Sequence, residues 1–202
     1  MLHETTDSRD LPEEEEAAVV GRWLLLIYRL PAQPSSARTA VWRETKRLGA
    51  LSLQHAVCLL PLSEDNRAGY ARLSRRIEEY GGEATLLETS SPDEEWHVRT
   101  VGRFNAARDE EYDEVVDETE RFREEIARER RKGKFTFAEL EDEEGNLERL
   151  RRFLAQVQGR DTFGAAGYAR AAADVEGCAV ALDLFAQEIY ERNASDEGRE
   201  RS

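Results

Sequence analysis

Six cations lie close together near the start of the chain: Arg22, Arg29, Arg38, Arg43, Lys46 and Arg47. Glu44 is the one acid among them between residues 21 and 56, a local balance of roughly +5. Arg43 and Arg47 are four residues apart, as are Arg38 and Trp42, and Lys46 lies beside them. That spacing lays several cations along one helix. The double serine Ser35-Ser36 stands where that helix would begin, and the free N–H groups of a helix start point outward. Cations next to such a start suit an anion, either DNA phosphate or a small oxyanion. The competing reading is a solvated helix face paired with the abundant acids, each pair worth ~0–1 kcal/mol.

Other chemistry finds little support. His3, His55 and His97 are scattered, and none sits three or four residues from a cysteine or another histidine, so no zinc spacing exists. His55 is the noteworthy one, in "LQHAV" where two strands meet. There is no G-x-S-x-G. Cys58 lies inside an apolar strand, where a thiol is ordinarily buried and inert. The run "DEEYDEVVDETE" is read as the solvated face of a helix with an apolar seam. "YGG" and "RKGK" are caps and turns, not phosphate cradles. The expectation is a binding protein and not an enzyme, with no catalytic residue, no metal ligand and no cofactor.

The elements that position the six cations follow from periodicity. Val19 to Leu30 is apolar on both faces and should be a central strand. A helix capped by Ser35 or Ser36 runs to about Leu48, with Val41, Trp42, Thr45 and Leu48 on its inner face, and Gly49 ends it. "ALSLQHAVCLLPL" reads as two short strands, or one bent one, broken near Gln54-His55. Ser63 starts a second helix with Tyr70, Leu73, Ile77 and Tyr80 at helical spacing, and Gly81-Gly82 stops it. "EATLLET" is the last strand. The order βαββαβ is ferredoxin-like, within an α+β fold.

After Pro92 no strong strand signal remains. Val101, Phe104, Arg108, Tyr112, Val115, Thr119, Phe122 and Ile126 step by three and four along one long helix, about Asp93 to Arg131. Two further helices carry Leu147, Leu150, Leu154 and Val157, then Tyr168, Ala172, Val175, Cys178, Leu182, Phe185 and Ile189. These make a C-terminal helical hairpin or bundle. Its seams must be covered by the sheet domain, by one another or by a second copy. The expected organisation is a disordered acidic tail over 1–18, a ferredoxin-like domain over 19–91, a helical region over 92–193 and a disordered tail over 194–202.

Composition sets the outer bounds. The chain has 202 residues, with 43 acids against 29 bases and a net charge of −14. As a whole it repels DNA and anionic membranes, which confines any nucleic-acid contact to the basic stretch. Two distant cysteines in apolar contexts make a disulfide framework improbable and fit a cytoplasmic location. The apolar run WLLLIY is far too short to span a bilayer, and the acidic N-terminus has no signal-peptide core.

The block "WLLLIYRLPAQPSSARTAVWRETKRLGALSLQHAVCLLP" resembles the N-terminal region of the chromate-resistance regulator family ChrB, in order and spacing. "GKFTFAELEDEEGNLERLRRFLAQVQGRDTFGA" resembles the same family, so the likeness covers about residues 20–192. It implies a transcriptional regulator linked to chromate efflux, with DNA binding carried by Arg22, Arg29, Arg38, Arg43 and Arg47. Longer members carry a further C-terminal domain. That domain is expected to be missing from a chain ending at Ser202, and any chromate sensing assigned to it does not carry over. A separate sensor-domain protein is then an implied partner. The plan "G-x-L-x-L-Q-x-x-V" is also similar to small CRISPR adaptation nucleases and to a domain of PaaX-type repressors. Nuclease members of that plan place a metal-binding aspartate at the end of the first strand, where this sequence has Arg29. A cation there cannot bind Mg²⁺, which argues against a metal-dependent nuclease. The tendency of related sheets to pair, with the long charged helix, implies a homodimer. A protein–protein adaptor that binds no DNA is the other expectation, favoured by the acidic balance.

Overall fold

The computed structural model describes residues 21–33 and 35–200, with side chains described to residue 194. The acidic stretch 1–18, His3 included, lies outside the described residues. The chain divides into two compact units, residues 1–100 and 101–202.

The first unit is the ferredoxin-like domain. Strand β1 (Arg22–Arg29), helix α1 (Ser35–Arg47), β2 (Leu51–Gln54), β3 (Val57–Pro61), helix α2 (Glu64–Glu79) and β4 (Glu83–Ser90) follow in the order read from the sequence. The sheet order is β2-β3-β1-β4, all pairs antiparallel, so β1 is central. Alternation along the strands sends Leu24 and Leu26 of β1 and Cys58 and Leu60 of β3 to one face. There they pack under Val41 of α1 and Tyr70, Leu73 and Ile77 of α2. Both helices therefore lie on the same side of the sheet. Burial of this face holds α1 and α2 side by side, each side chain worth about 1.5–3 kcal/mol.

Local signals explain the boundaries. Ser63 caps α2, its hydroxyl accepting from the Asn66 N–H at 3.1 Å. Gly81 takes φ +74°, which a side chain would resist, and lets the chain reverse into β4. Gly82 then passes so close to β1 that a Cβ would stand 2.4 Å from the Arg29 carbonyl oxygen. The break at Gln54-His55 is a two-residue turn between β2 and β3, with Ala56 at φ +60°. Cys58 is buried and its thiol is pushed up to about 11 by that burial, in keeping with an inert thiol.

One expectation for α1 fails. Trp42 is 57% exposed, and the buried positions are Ala37, Val41 and Thr45. These recur at intervals of four. Trp42 is one residue on from Val41, roughly 100° around the axis, beyond the width of the buried stripe.

The second unit is helical. Helix α3 spans Glu94–Lys132. Asp93 caps its start, accepting from the Trp96 N–H at 2.7 Å. Helices α4 (Phe137–Gln158) and α5 (Gly167–Glu200) follow. Helix α5 runs to Glu200, past residue 194 where the sequence suggests a tail. The seams of the three helices cover one another. Phe122, Ile126, Leu147, Leu150, Leu182, Phe185 and Ile189 form one cluster, and Tyr112, Val115, Val116, Val157, Ala171 and Val175 another.

Most acids of the α3 run face solvent as expected, but Asp109 accepts from the Gly167 N–H at 2.7 Å and Glu111 is the informative exception. It turns inward between two arginines. On α4, Glu143 is 3% exposed and accepts a hydrogen bond from Asn146 at 3.1 Å. Burial raises its pKa above the usual carboxylate range. The native state thus binds this proton more tightly than the unfolded chain. Its contribution to stability falls as pH rises from the ordinary carboxylate range through the raised value. Glu143→Gln, which keeps the oxygen that Asn146 donates to, should raise Tm at pH 7. The gain should shrink on acidification. Calorimetric scans of both proteins at pH 5 and pH 7 measure it, and an unchanged Tm at pH 7 would contradict the buried-charge argument.

Candidate functional site

The six cations singled out from the sequence do not form one cluster. Arg22 and Arg29 stand at opposite ends of β1, about 23 Å apart at the usual rise per residue. Each pairs with an acid of β4. Arg22 meets Glu88 at 3.2 Å, and Glu88 is shared with Arg67 of α2. Arg29 meets Glu83 at 2.8 Å. The cation at the end of the first strand thus has a carboxylate partner, its register neighbour across the β1–β4 pair. Arg38 donates to the Pro31 and Ala32 carbonyls and ties the loop before α1 back to the helix. Arg47 donates to Glu44 at 3.0 Å through Nε. That bond holds the Glu44 carboxyl below the usual range and raises Arg47.

Arg43 and Lys46 are left on the solvent face of α1. Neither has a hydrogen bond or ion pair among the described residues. Trp42 shares that face, one turn from Lys46 and from Arg38, and makes no ring contact there.

The structure adds three cations that the sequence reading passed over. Arg72, Arg75 and Arg76 of α2 line an open groove of about 690 Å³ against α1, together with Glu44, Arg47, Glu79 and Tyr80. The signal was present as "RLSRRIEEY". Leu73 and Ile77 take the buried face, which leaves Arg72, Arg75 and Arg76 exposed. Glu44 feels Arg72 and Arg76 across the groove, each lowering its pKa after the Arg47 hydrogen bond and coulombic effect. Arg76 donates to the Tyr80 hydroxyl at 3.2 Å, and Arg75 to the Ala71 carbonyl at 3.3 Å. Arg72 has no direct hydrogen bond or ion pair among the described residues. Residues 35–76 hold eight cations against three acids, in a chain whose net charge is −14. A basic face therefore spans α1 and α2, on the side of the domain away from the sheet.

Among the described residues there is no group of three histidine, cysteine, aspartate or glutamate side chains able to hold a metal ion. His55 is exposed in the β2–β3 turn. His97 meets the Ser91 hydroxyl at 3.3 Å, and Ser91 also accepts from the Trp23 indole N–H at 2.8 Å. That contact fastens the start of α3 to the sheet. No helix among the described residues is long and apolar enough to cross a membrane.

A comparison with protein-family models matches residues 38–196 to the family described as Protein ChrB, N-terminal. The chain belongs to this ChrB N-terminal family. Among characterised proteins, it is 32% identical over 95 residues to Protein ChrB of Cupriavidus metallidurans. That match covers 47% of this chain and 28% of the relative's length. No solved structure matches it. The family match begins within α1 and ends within α5, so Arg38, Arg43, Lys46, Arg47 and the arginines of α2 all lie in the ChrB N-terminal region, as does most of the helical unit.

Proposed function

We propose that the chain is a ChrB-type regulatory protein associated with chromate resistance, binding DNA through the α1–α2 face. Family membership supports the regulatory class. The observation that supports the site is the gathering on one face of Arg43, Lys46 and Arg72, which have no acid partner among the described residues, with Arg75 and Arg76 beside them, in a protein with a surplus of acids. Arg22, Arg29, Arg47 and Arg67 of the same domain each find a carboxylate. A polyanion is the ligand whose counterions such a face would release. The protein acts by binding and not by catalysis, which the Arg29–Glu83 pair at the end of β1 supports over the nuclease use of the fold. A small oxyanion such as chromate would suit the same cations. A homodimer in the cytoplasm is the proposed assembly, with a separate sensor-domain protein as a further partner.

Binding to duplex DNA from upstream of its own gene tests this. Affinity should fall steeply with salt. Arg43→Gln with Lys46→Gln should reduce the slope of log K against log salt by about 1.8 and weaken binding roughly tenfold at low salt. No salt-sensitive binding at low ionic strength would sink the DNA reading. Capture of a protein partner in its place would establish the adaptor reading, which the net charge of −14 favours.

A further inference from the structure

Trp42 is anomalous among the three tryptophans. Trp23 is fully buried, and Trp96 packs edge-on against it with ring centroids 5.8 Å apart. Trp42 is 57% exposed on the solvent face of α1. Its indole has no aromatic or cation partner among the described residues, although Lys46 is one turn away and Arg43 adjoins it.

We infer that Trp42 is a stacking platform for an unpaired nucleic-acid base, so the α1 face takes single-stranded or locally opened strands more tightly than fully paired duplex. This rests on the nucleic-acid reading above and deepens it. Phosphate contacts alone would need the cations and would gain nothing from an exposed indole. In a paired duplex the faces of the bases are covered by their neighbours, whereas an unpaired base offers its π-face to an aromatic side chain. The order around the helix fits such a strand. At 3.6 residues per turn, Trp42, Lys46, Arg43 and Arg47 succeed one another towards the α2 groove, where Arg72 continues the positive track. A base stacked on Trp42 thus has its own and its neighbouring phosphates beside unpaired cations. An acidic protein surface would complement the charge and leave the flat face of the indole without its best partner.

The full chain should be titrated with three labelled probes of about 12 residues, within the span one such site covers. They are an oligothymidine single strand, a paired duplex, and the same duplex carrying one bulged base. The single strand and the bulged duplex should bind more tightly than the paired duplex and quench the exposed indole. Trp42→Ala should weaken both roughly tenfold while changing paired-duplex binding less than about twofold, and Trp42→Phe should recover most of the loss. Circular dichroism confirms that the variants are folded. Equal losses on all three probes, or no loss on any, would overturn the stacking role and leave the DNA reading standing. Binding of an acidic peptide such as polyglutamate, with no binding to any nucleic-acid probe, would overturn both.

Discussion

Glu111→Ala should lower the stability of the protein by about 3–5 kcal/mol in urea denaturation. Glu111 is where two guanidiniums converge. One carboxylate oxygen accepts from Arg108 at 3.0 Å and the other from Arg160 at 2.7 Å. The Arg108 side chain is 5% exposed and that of Arg160 18%, so both guanidiniums are largely withdrawn from solvent. Burial already pulls the Arg108 pKa below its ordinary value, and the neighbouring Arg160 adds to this while Glu111 opposes it. Arg108 Nε and Nη1 and Arg160 Nε have no hydrogen-bond partner as it is. Removing the carboxylate would leave two cations confined, close together and uncompensated, the situation in which a broken buried pair costs most. Glu111→Gln keeps the shape but offers one acceptor oxygen where two donors each need one, and places an NH₂ against the other guanidinium. It should recover part of the loss only. A loss below about 1 kcal/mol for the alanine variant would show that the two arginines reach water and that the network does not anchor the helices.

Phe185→Ala should cost a similar amount, about 3–5 kcal/mol. Phe185 is fully buried on α5. Its ring lies 5.8 Å from that of Phe135 and beneath the Arg130 guanidinium, also at 5.8 Å, within the cluster that Phe122 and Ile126 of α3 and Leu147 and Leu150 of α4 complete. Truncation leaves a cavity at the meeting point of three helices, where no single helix can move in without drawing away from another. The adjacent Leu184 is 49% exposed, so Leu184→Ala is the control and should stay within about 0.5 kcal/mol. Urea midpoints of the pair, read by far-UV circular dichroism, separate packing from any general effect of truncating α5. Equal costs would mean that the seam of α5 is not the one assigned.

Much of the architecture was legible in the sequence because two periodicities carry it. The apolar density of the first strand and the helical spacing of Tyr70, Leu73 and Ile77 predict an α+β domain with that strand at its centre, where Leu24 and Leu26 indeed lie under α2. The steps of three and four from Tyr112 to Ile126 and from Val175 to Ile189 predict the helices of the second unit and their seams. Glycines mark the ends, at Gly49 and at Gly81-Gly82. Trp42, expected on the inner face with Val41 and Thr45, stands beyond the edge of the Ala37, Val41 and Thr45 stripe.

The candidate site was half legible. Its cations on α1 are visible as a run, and the type and spacing of Arg38, Arg43, Lys46 and Arg47 say that a basic helix is present. Which of them pair, and with what, is not a local property. Arg29 and Glu83 are 54 positions apart and meet because β4 lies antiparallel beside β1, while Arg22 finds Glu88 at the other end of the same pair. The contribution of Arg72, Arg75 and Arg76 likewise exists because both helices cross the same face of one sheet. By itself the sequence determined the elements, their order and the positive charge of α1, since these depend on neighbours a few residues away. The tertiary structure alone decided which cations are neutralised, which remain open and that an indole stands among them. Those outcomes depend on which strands become neighbours, and chain separation says nothing about that distance.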